Sequence, residues 1–86
     1  MPQVSRFFGI IISMFYDEHN PPHFHAAYGE YRAEIGIIDL TLLVGKLPSR
    51  VLGLVIEWAS LHQVELLENW NHIENGEPIE KIAPLE

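Results

Sequence analysis

His23-Phe24-His25-Ala26-Ala27-Tyr28-Gly29-Glu30-Tyr31-Arg32-Ala33-Glu34-Ile35-Gly36 decides how this chain folds. Gly29-Glu30 fits a two-residue turn with glycine first, the type II′ pattern, so His23–Tyr28 and Tyr31–Ile38 read as a hairpin. The register follows from the turn: Tyr28 faces Tyr31, Ala27 faces Arg32, Ala26 faces Ala33, His25 faces Glu34, Phe24 faces Ile35 and His23 faces Gly36. One face then holds Phe24, Ala26, Tyr28, Tyr31, Ala33 and Ile35, and the other holds His23, His25, Ala27, Arg32 and Glu34. A slip of one residue would mix the apolar set with the polar one.

On the N-terminal side, Asp17–Pro22 reads as a loop. Asn20-Pro21-Pro22 should be extended, because proline fixes its own φ and disfavours helix in the residue before it. Such a loop loses little entropy on folding and can hold His19 in place. Before it, Phe7–Tyr16 is rich in aromatic and β-branched residues and predicts one strand. Phe8, Ile10, Ile12, Met14 and Tyr16 share one face, with Phe7, Ile11, Ser13 and Phe15 on the other. Both faces are largely apolar, so both should be covered, within the chain or by another subunit.

On the C-terminal side, Asp39 fits a turn, Leu40–Val44 a short further strand, and Gly45-Lys46-Leu47-Pro48 its end. Ser49 fits a helix N-cap, without a Glu or Gln three residues later to complete a capping box. A helix should run from there to about Asn71, roughly 35 Å long. Val51, Leu52, Val55, Ile56, Ala59, Leu66 and Trp70 form its apolar stripe. Leu54, Trp58 and Leu61 make a second apolar flank that one sheet face would struggle to bury. Asn75-Gly76 ends the helix, and a tail with Pro78, Ile79, Ile82, Pro84 and Leu85 packs back on the body. The expectation is one α+β domain over residues 1–86: a three- to four-stranded antiparallel β-meander, one long C-terminal helix and an extended tail.

A chain of 86 residues buries only about 60–65% of its unfolded surface, so its core is thin and a second subunit is often recruited. The surplus apolar flank predicts a homo-oligomer, most simply a dimer, with Trp58 near the centre of its interface and Leu54 and Leu61 beside it. The alternative is that the tail covers the surplus within one chain. Twelve acidic residues against five Lys and Arg give a formal charge of −7, and the basic residues are scattered. That argues against direct nucleic-acid binding, which needs a basic stripe. Cysteine is absent, the first residues lack a signal peptide's features, and no apolar run is long enough to span a bilayer. A cytoplasmic location is the expectation, with no membrane.

Asn20-Pro21-Pro22-His23-Phe24-His25, Gly45-Lys46-Leu47-Pro48, Glu57-Trp58-Ala59, Glu65-Leu66-Leu67-Glu68-Asn69-Trp70 and the closing Ile82-Ala83-Pro84-Leu85 resemble the small prokaryotic domain-of-unknown-function family 4160. The resemblance covers nearly the whole chain, and Pro-Pro-His-x-His is its most specific part. It implies no particular activity. It does imply a two-gene cassette whose neighbour encodes another small protein, an arrangement similar to toxin–antitoxin pairs.

Three of the five histidines fall between His19 and His25. His23 and His25 are two apart on a strand, so both imidazoles leave the same face about 6.5–7 Å apart at the backbone. The register sets Glu34 beside His25, and His19 is a further candidate ligand. Two histidines and a carboxylate suit Zn²⁺ or Fe²⁺ with open coordination positions. The same residues also fit metal-free acid–base chemistry, or an ordinary cross-strand pair on a solvated face. Arg32, on that face, could hold an anion such as phosphate. The spacing is not that of a cupin, since Glu30 falls in the turn. Nor is it that of a histidine-triad hydrolase, since Ala27 takes the third place. Two functions are therefore expected. The first is a non-catalytic interaction module paired with its neighbour's product. The second is a small metal- or histidine-dependent hydrolase, RNA among its candidate substrates.

Overall fold

A computed structural model describes residues 2–16 and 18–86. Asp17, the first residue of the expected loop, lies outside the described residues. The elements run β1 (Gln3–Phe7), β2 (Ile10–Ser13), β3 (His23–Tyr28), β4 (Tyr31–Gly36), β5 (Leu42–Gly45), α1 (Ser49–Leu61) and α2 (Gln63–Glu74). The strands form one antiparallel meander in the order β1-β2-β3-β4-β5. The β3–β4 hairpin has the expected register at every pair, from Tyr28 opposite Tyr31 to His23 opposite Gly36.

The stretch Phe7–Tyr16 is not one strand. It turns back at Phe8-Gly9, where both residues have positive φ, 50° and 77°. That is the backbone of a type I′ turn, which matches the twist of the strands it joins. β1 and β2 therefore pair, with Phe7 opposite Ile10. Ile10, Ile12 and Met14 are buried as expected, whereas Phe8 at the turn and Tyr16 beyond the strand are exposed. The sheet thus has five strands where three or four were expected. Its last strand begins at Leu42, because Leu40 has φ 54° and belongs to the preceding turn.

The helical region is broken in two at His62, which has φ −124° and ψ 24°. Tertiary contacts hold the break. The Gln63 side-chain amide donates to the carbonyls of Ile37 (2.6 Å) and Ile38 (2.9 Å), tying the start of α2 to the turn after β4. Ser49 is the first helical residue and not the cap. Pro48 takes the cap position and no side chain bonds there. Proline's preset φ suits that boundary.

Both helices serve the sheet face that carries Phe24 and Ile35. Trp58 is fully buried against Phe7 and Phe24, with ring centroids 5.4 and 5.8 Å away. An indole of this size removes roughly 200 Å² from water on burial. At about 25 cal/mol per Å², that favours folding by about 5 kcal/mol before entropy is counted. The expected interface centred on Trp58 is therefore corrected: this side chain presents no surface to a partner. Of its expected companions, Leu54 is half-buried and Leu61 is exposed.

The tail packs back on the body and reaches Trp58. The indole N–H of Trp58 donates to the carbonyl of Ala83 at 2.8 Å. The side chain of Asn69 donates to the Glu80 carbonyl (2.8 Å) and accepts from the Glu80 N–H (2.9 Å). The Ile82 N–H donates to the Val4 carbonyl on the outer side of β1, and Ile82 is itself buried. Among the described residues, no helix is long and apolar enough to cross a membrane.

Candidate functional site

The opposite face of the sheet meets α2 at its His23 end, through Trp70, and opens into a groove beyond it. Ser13, His25, Glu34 and Val44 lie in one cross-strand row, and Ile11, Ala27 and Arg32 in the next. Together with Phe15 they line an open groove of about 260 Å³. Its walls are apolar at Ile11, Phe15, Ala27 and Val44. Its polar groups are Ser13, His25, Arg32 and Glu34.

The histidine cluster sits at one end of this groove, where the Pro21-Pro22 loop enters β3. The Pro22 carbonyl accepts from the Ile37 N–H (3.0 Å), which fixes the loop against the turn that follows β4. His23 follows and is buried, its ring centroid 5.3 Å from that of Trp70 on α2. Its Nδ1 lies 2.8 Å from the Pro21 carbonyl. A carbonyl can only accept, so Nδ1 carries a proton, and Nε2 is the nitrogen left to take a metal ion or a second proton. That Nε2 is buried and makes no hydrogen bond among the described residues. It lies 3.6 Å from Glu18 Oε1 and 3.6 Å from Glu34 Oε1.

His25 has its ring 5.3 Å from that of His23 and edge-on to Phe15 at 4.7 Å. Its Nε2 meets Glu18 Oε1 at 2.5 Å. Glu18, His23 and His25 thus converge, with one ligand atom from each lying within 4.8 Å of the others.

Of the expected site residues, His23 and His25 come together as foreseen. Glu34 is the register partner of His25, but its carboxylate reaches diagonally to His23. His19 is exposed and does not belong to the convergent group. Arg32 borders the groove, with Nη1 donating to the carbonyls of Gly29 (2.7 Å) and Tyr31 (2.9 Å). Sequence reasoning missed Glu18. Its place in an acidic loop just before His19 was the available signal, but no periodicity links a loop residue to a strand. His62 lies elsewhere, against Trp58 and 2.5 Å from Glu65 Oε1. His72 stands in the last turn of α2.

The sequence model of the family described as Domain of unknown function (DUF4160) matches residues 9–71, from the β1–β2 turn to the last part of α2. The chain belongs to that family. No curated protein and no solved structure matches it.

Proposed function

From this membership, we propose that the protein is a non-catalytic interaction module, one half of a two-protein regulatory pair of the toxin–antitoxin kind, and that its partner is the small protein encoded beside it. One observation carries the reading: the two edges of the sheet are treated differently. The β1 edge receives the chain's own tail through the Ile82–Val4 hydrogen bond. The β5 edge runs Leu42-Leu43-Val44-Gly45, and all four residues are exposed. Edge strands are ordinarily blunted by charge, proline or a covering segment. β5 has neither charge nor proline within it, and it offers main-chain groups and apolar side chains to an added strand. Co-expression with the neighbouring gene product should yield a complex, and a Leu43→Lys/Val44→Lys double variant should lose it while keeping its fold. Absence of a complex, or equal binding by the double variant, removes the proposal.

A second reading has its own support. The cluster of Glu18, His23 and His25 adjoins a groove bordered by Arg32, an arrangement suited to acid–base or metal-assisted hydrolysis of a phosphodiester, RNA included. Cleavage of short RNA by tag-free protein, lost in His25→Ala, would support this reading over the first. The same rate in both proteins would dismiss it.

A further inference from the structure

We propose that Glu18, His23 and His25 form a mononuclear Zn²⁺ site, which stands whether or not a partner docks on β5. The geometry of His23 comes first. The Pro21 carbonyl takes the Nδ1–H of the ring, so Nε2 is the nitrogen turned toward two carboxylates, Glu18 and Glu34. This nitrogen is buried without a hydrogen-bond partner among the described residues. A metal ion between these groups would satisfy it and both carboxylates together.

The two distances from His23 fit a metal ion better than a hydrogen bond. At 3.6 Å, His23 Nε2 is beyond hydrogen-bond range of either carboxylate. Two donors bound to one tetrahedral Zn²⁺ at about 2.0–2.1 Å stand about 3.3 Å apart, within a few tenths of the separation seen. The His25–Glu18 pair, at 2.5 Å, is closed as a hydrogen bond and must open by about 0.8 Å for the ion to enter. Glu18 is the member able to move, since it lies on the loop and is partly exposed. His23 is the fixed member, held by Pro21 on one side and Trp70 on the other. A ring N–H given to a backbone carbonyl is the usual way a protein orients a metal-binding imidazole. Three protein ligands leave a fourth position on the Glu34 side.

Zn²⁺ titration of tag-free, chelator-treated protein tests the site, read by calorimetry, elemental analysis after dialysis and thermal melting. The expected result is one Zn²⁺ per chain with a higher melting temperature, as for any ligand that binds only the folded state. Glu18→Gln and His25→Ala should each weaken binding by at least about tenfold and remove the thermal shift. Glu18→Gln alters a partly exposed loop residue, so it keeps the test valid if His25→Ala does not fold. His62→Ala, which removes the other histidine–glutamate pair, should bind as the wild type does. The proposal is overturned by the absence of saturable binding. It is equally overturned by unchanged binding in Glu18→Gln or His25→Ala, by loss of binding in His62→Ala, or by nitrogen NMR showing both ring nitrogens of His23 protonated with Zn²⁺ present.

Discussion

The indole N–H of Trp58 donates to the carbonyl oxygen of Ala83, 2.8 Å away and 25 residues further along the chain. This bond joins the last turn of the first helix to the C-terminal tail. It accounts for the burial of the Trp58 indole within one chain. Burial without the bond would strand a donor, at a cost of about 1–3 kcal/mol.

Trp58→Ala should destabilise the domain by about 3–5 kcal/mol, the usual cost of emptying a buried aromatic position. Trp58→Phe keeps a ring against Phe7 and Phe24 but loses the bond to Ala83, and should cost about 1–2 kcal/mol. Trp58→Glu should unfold the chain, because it would place an unpaired carboxylate in the core. Urea titration followed by circular dichroism separates these outcomes. A folded, soluble Trp58→Glu protein would contradict the core placement.

Asn69 holds the tail with two hydrogen bonds, one given to and one received from the backbone of Glu80. Asn69→Ala should cost about 2 kcal/mol, from two bonds of about 1 kcal/mol each. Asn69→Asp should cost more, since its carboxylate would face the Glu80 carbonyl with no proton to offer. The readout is amide exchange at Ile82, whose N–H bonds to Val4. Protection there should fall in both variants before it falls in β3.

The parts of this fold that were legible in the sequence are those in which local chemistry and pattern agree. Gly29 and the alternation from His23 to Ile35 specify the central hairpin to the residue. The β1–β2 turn was hidden because Phe8 is not a turn residue by composition, and Gly9 alone did not interrupt an apolar run. The break at His62 was hidden for a different reason. Nothing at Leu61-His62-Gln63 opposes a helix locally, and the kink rests on bonds from Gln63 to Ile37 and Ile38 that exist only once the sheet is in place. The candidate site divides in the same way. His23 and His25 share a strand face by periodicity alone. Glu18 joins them only through the path of a loop, which no spacing rule describes.

Gly45 and Gly53 should respond oppositely to alanine. A Cβ on Gly45 would fall 2.1 Å from the Arg32 carbonyl oxygen, and its φ of 86° is already unfavourable for other residues. Gly45→Ala must therefore detach β5 from β4 at this point, and should cost several kcal/mol or prevent folding. Gly53 lies exposed within α1 with open space around its Cβ position. Gly53→Ala should stabilise the protein by about 0.5–1 kcal/mol through helix propensity. Thermal melting of the two variants beside the wild type checks both signs. A neutral Gly45→Ala would mean that the β4–β5 approach is looser than described.

Phe8 gives the last prediction. It is exposed and sits at φ 50°, in the first central position of a type I′ turn whose second position is Gly9. A side chain other than Asn, Asp or Gly in that conformation costs roughly 1–2 kcal/mol. The Phe8 ring regains part of this from its edge-on contact with Phe7, at 6.3 Å between centroids, a pairing of about 0.5–1.5 kcal/mol. Phe8→Asn would convert the turn to Asn-Gly, the sequence that type I′ hairpins favour most. The backbone gain and the lost ring contact are similar in size, so equilibrium stability should change by less than about 1 kcal/mol. Solubility is where the change should show, since the substitution removes an exposed aromatic from a hairpin tip. Equilibrium unfolding and sedimentation at high protein concentration read the two quantities separately. A loss of more than about 2 kcal/mol would mean that the Phe8 ring, and not the backbone of the turn, holds β1 against β2.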